Sequence, residues 1–170
     1  MLIRYIEGDL LVSNETVIVH GCNAKGAFAS GFAAAVRKGH PAAFEAYMAS
    51  HRAGGLVLGS VVWARSGTCV IGNCITQPTF GRDGRRHVSY DALRACMRMV
   101  NAAASDGIPG SQVSDGFDRV AMPLIGADLG GGDWSVISRI LEEELCDVSA
   151  SVYVLPGRRP SAAELGALSL

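Results

Sequence analysis

The sequence predicts an α/β domain of three layers, α/β/α, around a mixed central sheet. Three observations carry that expectation. Strand-like and helix-periodic segments alternate through the second half of the chain, which implies crossover connections and a largely parallel sheet covered on both faces. Two neighbouring strand-like runs, "LGSVVWAR" and "TCVIGNCIT", meet at Ser66–Gly67 as a hairpin, which adds antiparallel pairing. Finally, 170 residues at 49% hydrophobic and 18% charged suffice for one globular domain with a proper core.

Taken in order, "LIRYIEG" reads as a first strand and "TVIVHG" as a buried second one. After a glycine-containing loop, "SGFAAAVRKG" has helical composition, with Ala33, Val36 and Arg37 at helix spacing. Pro41 suits the first turn of a second helix, "PAAFEAYMASHR". The hairpin follows, then the polar loop "QPTFGRDGRRH". The clearest helix is "SYDALRACMRMVNAAAS": Ser89 is placed to cap it, and Leu93, Cys96, Met97 and Val100 share a face. "DGIPGSQVSDG" reads as loop, "RVAMPLIG" as a strand, "DWSVISRILEEELCD" as a helix and "SVYVLPG" as a last strand. The domain is expected to span 1–156, with 157–170 a peripheral tail.

Composition also excludes functions. A net charge of −1 gives no electrostatic reason to expect a nucleic-acid-wrapping surface. The N-terminus "MLIRYIEGDL" lacks a signal-peptide layout, and no apolar run reaches the ~18 residues of a membrane span. A cytoplasmic monomer with no membrane partner is expected. The five cysteines (Cys22, Cys69, Cys74, Cys96, Cys146) are scattered, form no CxxC, and read as small buried hydrophobes in a reducing compartment. No metal and no cofactor are expected.

In parallel sheets, ligands bind beyond the carboxyl ends of strands, where loops enter helices. Two loops fit. One is "HGCNAKGAFASG", His20 to Gly31. The other is "IGADLGGGDW", which packs four glycines into ten positions. Each joins flexible backbone to a helix N-terminus, an arrangement that gathers free N–H groups for phosphate. A dinucleotide fingerprint is absent, because the first strand ends "EGDLL" and the glycines do not keep GxGxxG spacing; no GK[ST] occurs either.

"EGDLL", "HGCNAKGAFASGFA", "ITQPTFGRDGRRHVSYDALR" and "MPLIGADLGGGDW" followed by "ISRILEEEL" together resemble the macro domain family, in particular its ADP-ribose 1''-phosphate phosphatase-like branch. The resemblance covers residues 1 to about 156. It implies the macro domain fold and a partner that is ADP-ribose or an ADP-ribose derivative. It makes Asp9 the acceptor for the adenine amine, with the Leu10 backbone beside it, and sets Asn23 on the distal ribose. The diphosphate and distal ribose would be wrapped by Gly26, Phe28, Ala29, Ser30 and Gly31 and by Gly126, Ala127, Asp128, Leu129, Gly130, Gly131 and Gly132. Lys25 either pairs with a phosphate or points into water. The structural alternatives are an exposed turn or cap residue for Asp9 and an Asn bonding its own loop for Asn23.

For catalysis, His20, Asp128 and Asp133 are the candidates. His20 is the nearby side chain of a type that titrates near neutrality. Its position at the end of an apolar strand equally suits a structural histidine, and Asp133 sits where an N-cap belongs. Related glycohydrolases carry a catalytic lysine where Gln77 stands and an acidic residue near Gly130, which argues against a lysine-dependent mechanism here unless neighbouring Asp128 or Asp133 substitutes. Arg82, Arg85, Arg86 and His87 surround Asp83, either as a solvated loop or as a flap bringing Tyr90 or an arginine to an anionic terminus. Phe28 and Phe80 either cover the ligand or anchor small cores. Three functions remain: hydrolysis of ADP-ribose 1''-phosphate; a non-catalytic ADP-ribose reader; and removal of ADP-ribose from modified protein or nucleic acid, the one role in which nucleic acid enters.

Overall fold

The computed structural model describes residues 3–110 and 116–161. Part of the expected loop after the longest helix (111–115) and most of the expected tail (162–170) lie outside the described residues. The strands are β1 (Ile3–Glu7), β2 (Val17–Asn23), β3 (Val61–Ser66), β4 (Cys69–Gln77), β5 (Arg119–Met122) and β6 (Ser149–Val154). The helices are α1 (Gly31–Gly39), α2 (Pro41–Arg52), α3 (Tyr90–Asp106) and α4 (Trp134–Glu144). A short 3-10 turn, Leu10–Val12, follows β1.

The six strands form one mixed sheet in the order β1-β6-β5-β2-β4-β3. All pairings are parallel except the β3–β4 hairpin. Alternation along the central strands feeds both faces. Val17, Val19, Val70 and Cys74 join Leu93, Met97 and Val100 of α3 and Ile137 and Leu141 of α4. Ile18, Cys22, Ile71 and Ile75 join Val36 of α1 and Ala43 and Tyr47 of α2. The α/β/α sandwich follows from that period-2 pattern laid against two pairs of amphipathic helices.

Local chemistry sets the element ends. Ser89 Oγ accepts the Ala92 N–H (3.1 Å) and opens α3, while Asp133 Oδ1 accepts the Ser135 N–H (2.8 Å) and opens α4. Pro41 occupies the first turn of α2, where a missing N–H costs nothing. β5 stops at Met122, short of the expected Gly126. Pro123 has no N–H to extend the ladder, and the Ile125 N–H turns back to the Pro123 carbonyl. β2 instead runs on through Asn23, because Ala24 still donates to Gln77 at the end of β4 (2.9 Å). Of the cysteines, Cys22, Cys69, Cys74 and Cys96 are buried and Cys146 is exposed. Among the described residues, no helix is long and apolar enough to cross a membrane.

Candidate functional site

Five parallel strands end on one edge of the sheet. Two of them, β2 and β5, are neighbours whose following helices leave to opposite faces: α1 toward the α2 side, α4 toward the α3 side. Such a divergence opens a crevice at the carboxyl edge. The two loops suspected from sequence flank it and meet there. A Cβ added at Gly31, which has φ +56°, would lie 2.8 Å from Leu129 Cδ1.

The loop after β2 is held from within and from α2. Asn23 Oδ1 accepts the N–H groups of Lys25 (2.9 Å) and Ala27 (3.3 Å), and its Nδ2 donates to the Ala27 carbonyl (2.7 Å). Tyr47 Oη, from α2, donates to the Asn23 carbonyl (2.7 Å) and accepts the Gly26 N–H (3.1 Å). Burial pushes the Tyr47 phenol up to about 12, so it stays protonated for that task. Asn23 is thus a buried scaffold of its loop in this structure, rather than a side chain held out to a ribose. Tyr47 was not singled out in the sequence. Its only signal was helix spacing from Ala43, which reads as core.

Gly26 needs its φ of +80°, and a Cβ there would fall 2.5 Å from the His51 ring. Lys25, Ala29, Ser30 and Gly31 are exposed. Ser30 stands at the N-cap of α1 without making a side-chain cap bond, which separates α1 from the capped α3 and α4. Phe28 overturns an expectation. It is buried among His20, Phe44 and Tyr47, with ring centroids 4.8 to 5.6 Å away, and has no free face to stack on a ligand. Phe80, by contrast, is exposed.

His20 is also corrected. It is buried between the sheet and Phe28 and Phe32, with Nε2 2.7 Å from Asn73 Oδ1. Asn73 spends its amide on the carbonyls of Ala43 and Val62, so its oxygen must accept from His20 Nε2–H. Desolvation drives the imidazole down to about 4, and outweighs the opposing pull from Asn73. A neutral, sealed ring of this kind is structural.

The glycine-rich loop explains its own composition. The Gly130 carbonyl accepts the N–H groups of His87 (2.8 Å) and Val88 (3.0 Å), and the Gly132 N–H returns to the Gly126 carbonyl (2.8 Å). A Cβ added at Gly130 would lie 2.6 Å from Gly126 O, and one at Gly131 would lie 2.7 Å from Arg85 O. The close approach these glycines permit is therefore first of all that of protein backbone. Ala127 is half-buried, while Asp128 and Leu129 are exposed; Asp128 Oδ1 lies 3.8 Å from Arg158. Asp133 is the cap of α4, its carboxyl held below the usual range by the Ser135 hydroxyl and N–H. Its own N–H donates to Tyr90 Oη (3.0 Å), which ties the starts of α3 and α4 together.

On the same edge, Asp9 caps the turn after β1, with Oδ1 accepting the Leu11 N–H (2.9 Å). Its carboxylate is exposed, and Leu10 is buried beneath it. Gln77 closes β4 opposite Asn23 and donates to the Thr79 carbonyl (3.1 Å). A cavity of about 380 Å³ adjoins the arginine-rich loop, lined by Pro78, Arg86, His87, Val88, Ser89, Tyr90 and Asp91.

The chain is similar to known proteins. The family described as Macro domain matches residues 19–141. The chain is 30% identical to an uncharacterized 17.5 kDa protein of Enterobacteria phage T4, over 84% of this chain and 89% of that one. It is 27% identical to an ADP-ribose 1''-phosphate phosphatase of Meyerozyma guilliermondii, over 90% of this chain and 98% of the relative. A macrodomain protein from Streptomyces coelicolor superposes with a TM-score of 0.71 at 26% identity, covering 90% of this chain and 99% of the other.

Proposed function

The chain belongs to the macro domain family, and from that premise we propose that it binds ADP-ribose and hydrolyses ADP-ribose 1''-phosphate to ADP-ribose and phosphate. The observation that carries the reading is the meeting of two loops at Gly31 and Leu129, where β2 and β5 send their helices to opposite faces. Asp9 sits on the same edge as an exposed carboxylate, a fitting acceptor for an exocyclic amine, with the Leu10 backbone beside it. The first turn of α1, exposed at Ala29–Gly31 and uncapped by Ser30, offers N–H donors to a diphosphate. Loop 126–132 covers the other side, with Asp128 as its exposed carboxylate. The similarity to a phosphatase of that substrate supports the reaction assigned.

A second reading, an ADP-ribose reader without chemistry, draws on two residues. Gln77 carries no charge, and the backbone packed against Gly130 leaves no room for an acidic side chain there. The same Gln77 removes the lysine that a lysine-dependent release of ADP-ribose from protein or nucleic acid would need.

Calorimetry with ADP-ribose and phosphate release from ADP-ribose 1''-phosphate decide between the readings. Binding is expected, weakened roughly tenfold or more by Asp9→Ala, as loss of a hydrogen bond to a charged group implies. Phosphate release above a blank is expected too. Binding without release would favour the reader; no binding at all would overturn both.

A further inference from the structure

With His20 sealed in the core and Asp133 spent on a helix cap, Asp128 is the one sequence candidate left open, and a carboxylate 3.8 Å from Arg158 gives the phosphatase reading no imidazole to pass protons. One loop supplies it. His87 Nε2 lies 2.8 Å from Asp83 Oδ1, and His87 Nδ1 lies 3.2 Å from Thr79 Oγ1. A carboxylate only accepts, so Asp83 takes Nε2–H and leaves Nδ1 as the acceptor for the Thr79 hydroxyl proton.

The imidazole is shielded, its side chain 8% exposed, while Thr79 and Asp83 are open to solvent. Both ring nitrogens are occupied, so the end of the chain that a substrate can reach is the Thr79 oxygen. Asp83 is held in turn by the Arg85 N–H (3.1 Å), and it stays ionised because that N–H and His87 hold its carboxyl below the usual range. Gly81 makes the wrap possible, since a Cβ there would crowd His87 Nε2 at 3.2 Å.

The loop is also tied to both halves of the crevice. Gln77, which donates to the Thr79 carbonyl, pairs with Asn23 of β2, and the His87 N–H is bonded to the Gly130 carbonyl. Beside it, the 380 Å³ cavity holds Arg86, whose guanidinium lies 4.3 Å over the Tyr90 ring and supplies positive charge for an anionic terminus.

Resting on the phosphatase reading above, we propose that Thr79, His87 and Asp83 form a hydroxyl–imidazole–carboxylate relay in which Thr79 Oγ1 attacks the terminal phosphoryl group. As the new P–O bond forms, the Thr79 proton passes to His87 Nδ1. The bond from phosphorus to the C1'' oxygen breaks on the side opposite Oγ1, and that oxygen takes a proton from solvent and leaves as ADP-ribose. Water then attacks the phosphothreonine from that same open side and releases a proton to solvent. The P–Oγ1 bond breaks, Oγ1 recovers its proton from Nδ1, and inorganic phosphate departs. Asp83 accepts Nε2–H throughout and steadies the imidazolium that persists between the two steps.

The experiment compares the unaltered protein with Thr79→Val, Thr79→Ser and His87→Ala. It measures phosphate release from ADP-ribose 1''-phosphate, ADP-ribose affinity by calorimetry, and peptide mass after acid quench during turnover. Expected results are a kcat loss of about 10²-fold or more in Thr79→Val and His87→Ala, with ADP-ribose affinity kept and activity largely restored in Thr79→Ser. A phosphoryl adduct on the peptide containing residue 79 is expected in the unaltered protein. Turnover in Thr79→Val equal to that of the unaltered protein, or turnover with the adduct elsewhere, would overturn the relay and leave the phosphatase reading standing. No turnover by the unaltered protein would overturn both.

Discussion

His20 shows how one residue changes meaning between sequence and structure. As the neutral-pH titrating side chain nearest the loops it suggested chemistry; its partner Asn73 lies 53 positions away, and no local pattern reveals that pairing. The consequence is a pH dependence of folding. The unfolded imidazole takes up a proton near pH 6.5, whereas the buried one resists until about 4. The contribution is therefore intact above pH 6.5 and is lost as pH falls through that window, on the order of 3 kcal/mol in all. Urea midpoints at neutral pH and at about pH 4.5 should diverge, and His20→Gln should bring them closer; equal divergence in the variant would acquit His20. Gly130 is the other instructive position. Its substitution by Ala pushes a methyl onto the Gly126 carbonyl, so stability should fall by roughly 1–3 kcal/mol and ADP-ribose affinity should fall with it. An alanine variant of unchanged midpoint would show that the loop yields freely.

At the scale of elements, most of the fold was legible, because helix spacing, capping residues and β-branched runs are local signals. α2 spans the residues its Pro41 start implied, and Ser89 and Asp133 cap the helices they precede. β5 was over-read across Pro123, since apolarity continues where hydrogen-bonding capacity does not. The two loops were legible in the sequence, but the bonding of their side chains was not. Asn23, Phe28 and the glycines turn inward to build the loops, and only three-dimensional packing decides that. Asp133 gives a direct check. Asp133→Ala should cost about 1 kcal/mol of stability by uncapping α4, with phosphate release per folded molecule within about twofold. A loss far beyond that would return this carboxylate to the chemistry.

At the scale of the whole molecule, the described residues build two cores on one sheet. Val17 and Val19 serve one face and Ile18 and Cys22 the other, so neither pair of helices has a sheet of its own. Leu141→Ala, on the α4 side, should cost about 2–5 kcal/mol. Because the sheet is shared, it should speed amide hydrogen exchange in α1 and α2 as much as in α3. Exchange that quickens on the α4 side alone would instead make the layers separate cooperative units.

The edge pairing of β1 with β6 sets an order of assembly. Ile3 lies opposite Ala150, and β6 is the strand that holds β1 to the sheet. During synthesis, the segment carrying Asp9 emerges well before β6, the strand on which it docks. The crevice between β2 and β5 has its neighbours earlier. The edge that carries Asp9 thus closes last, and a chain stopped before residue 149 would present the two loops without β1 docked on the sheet.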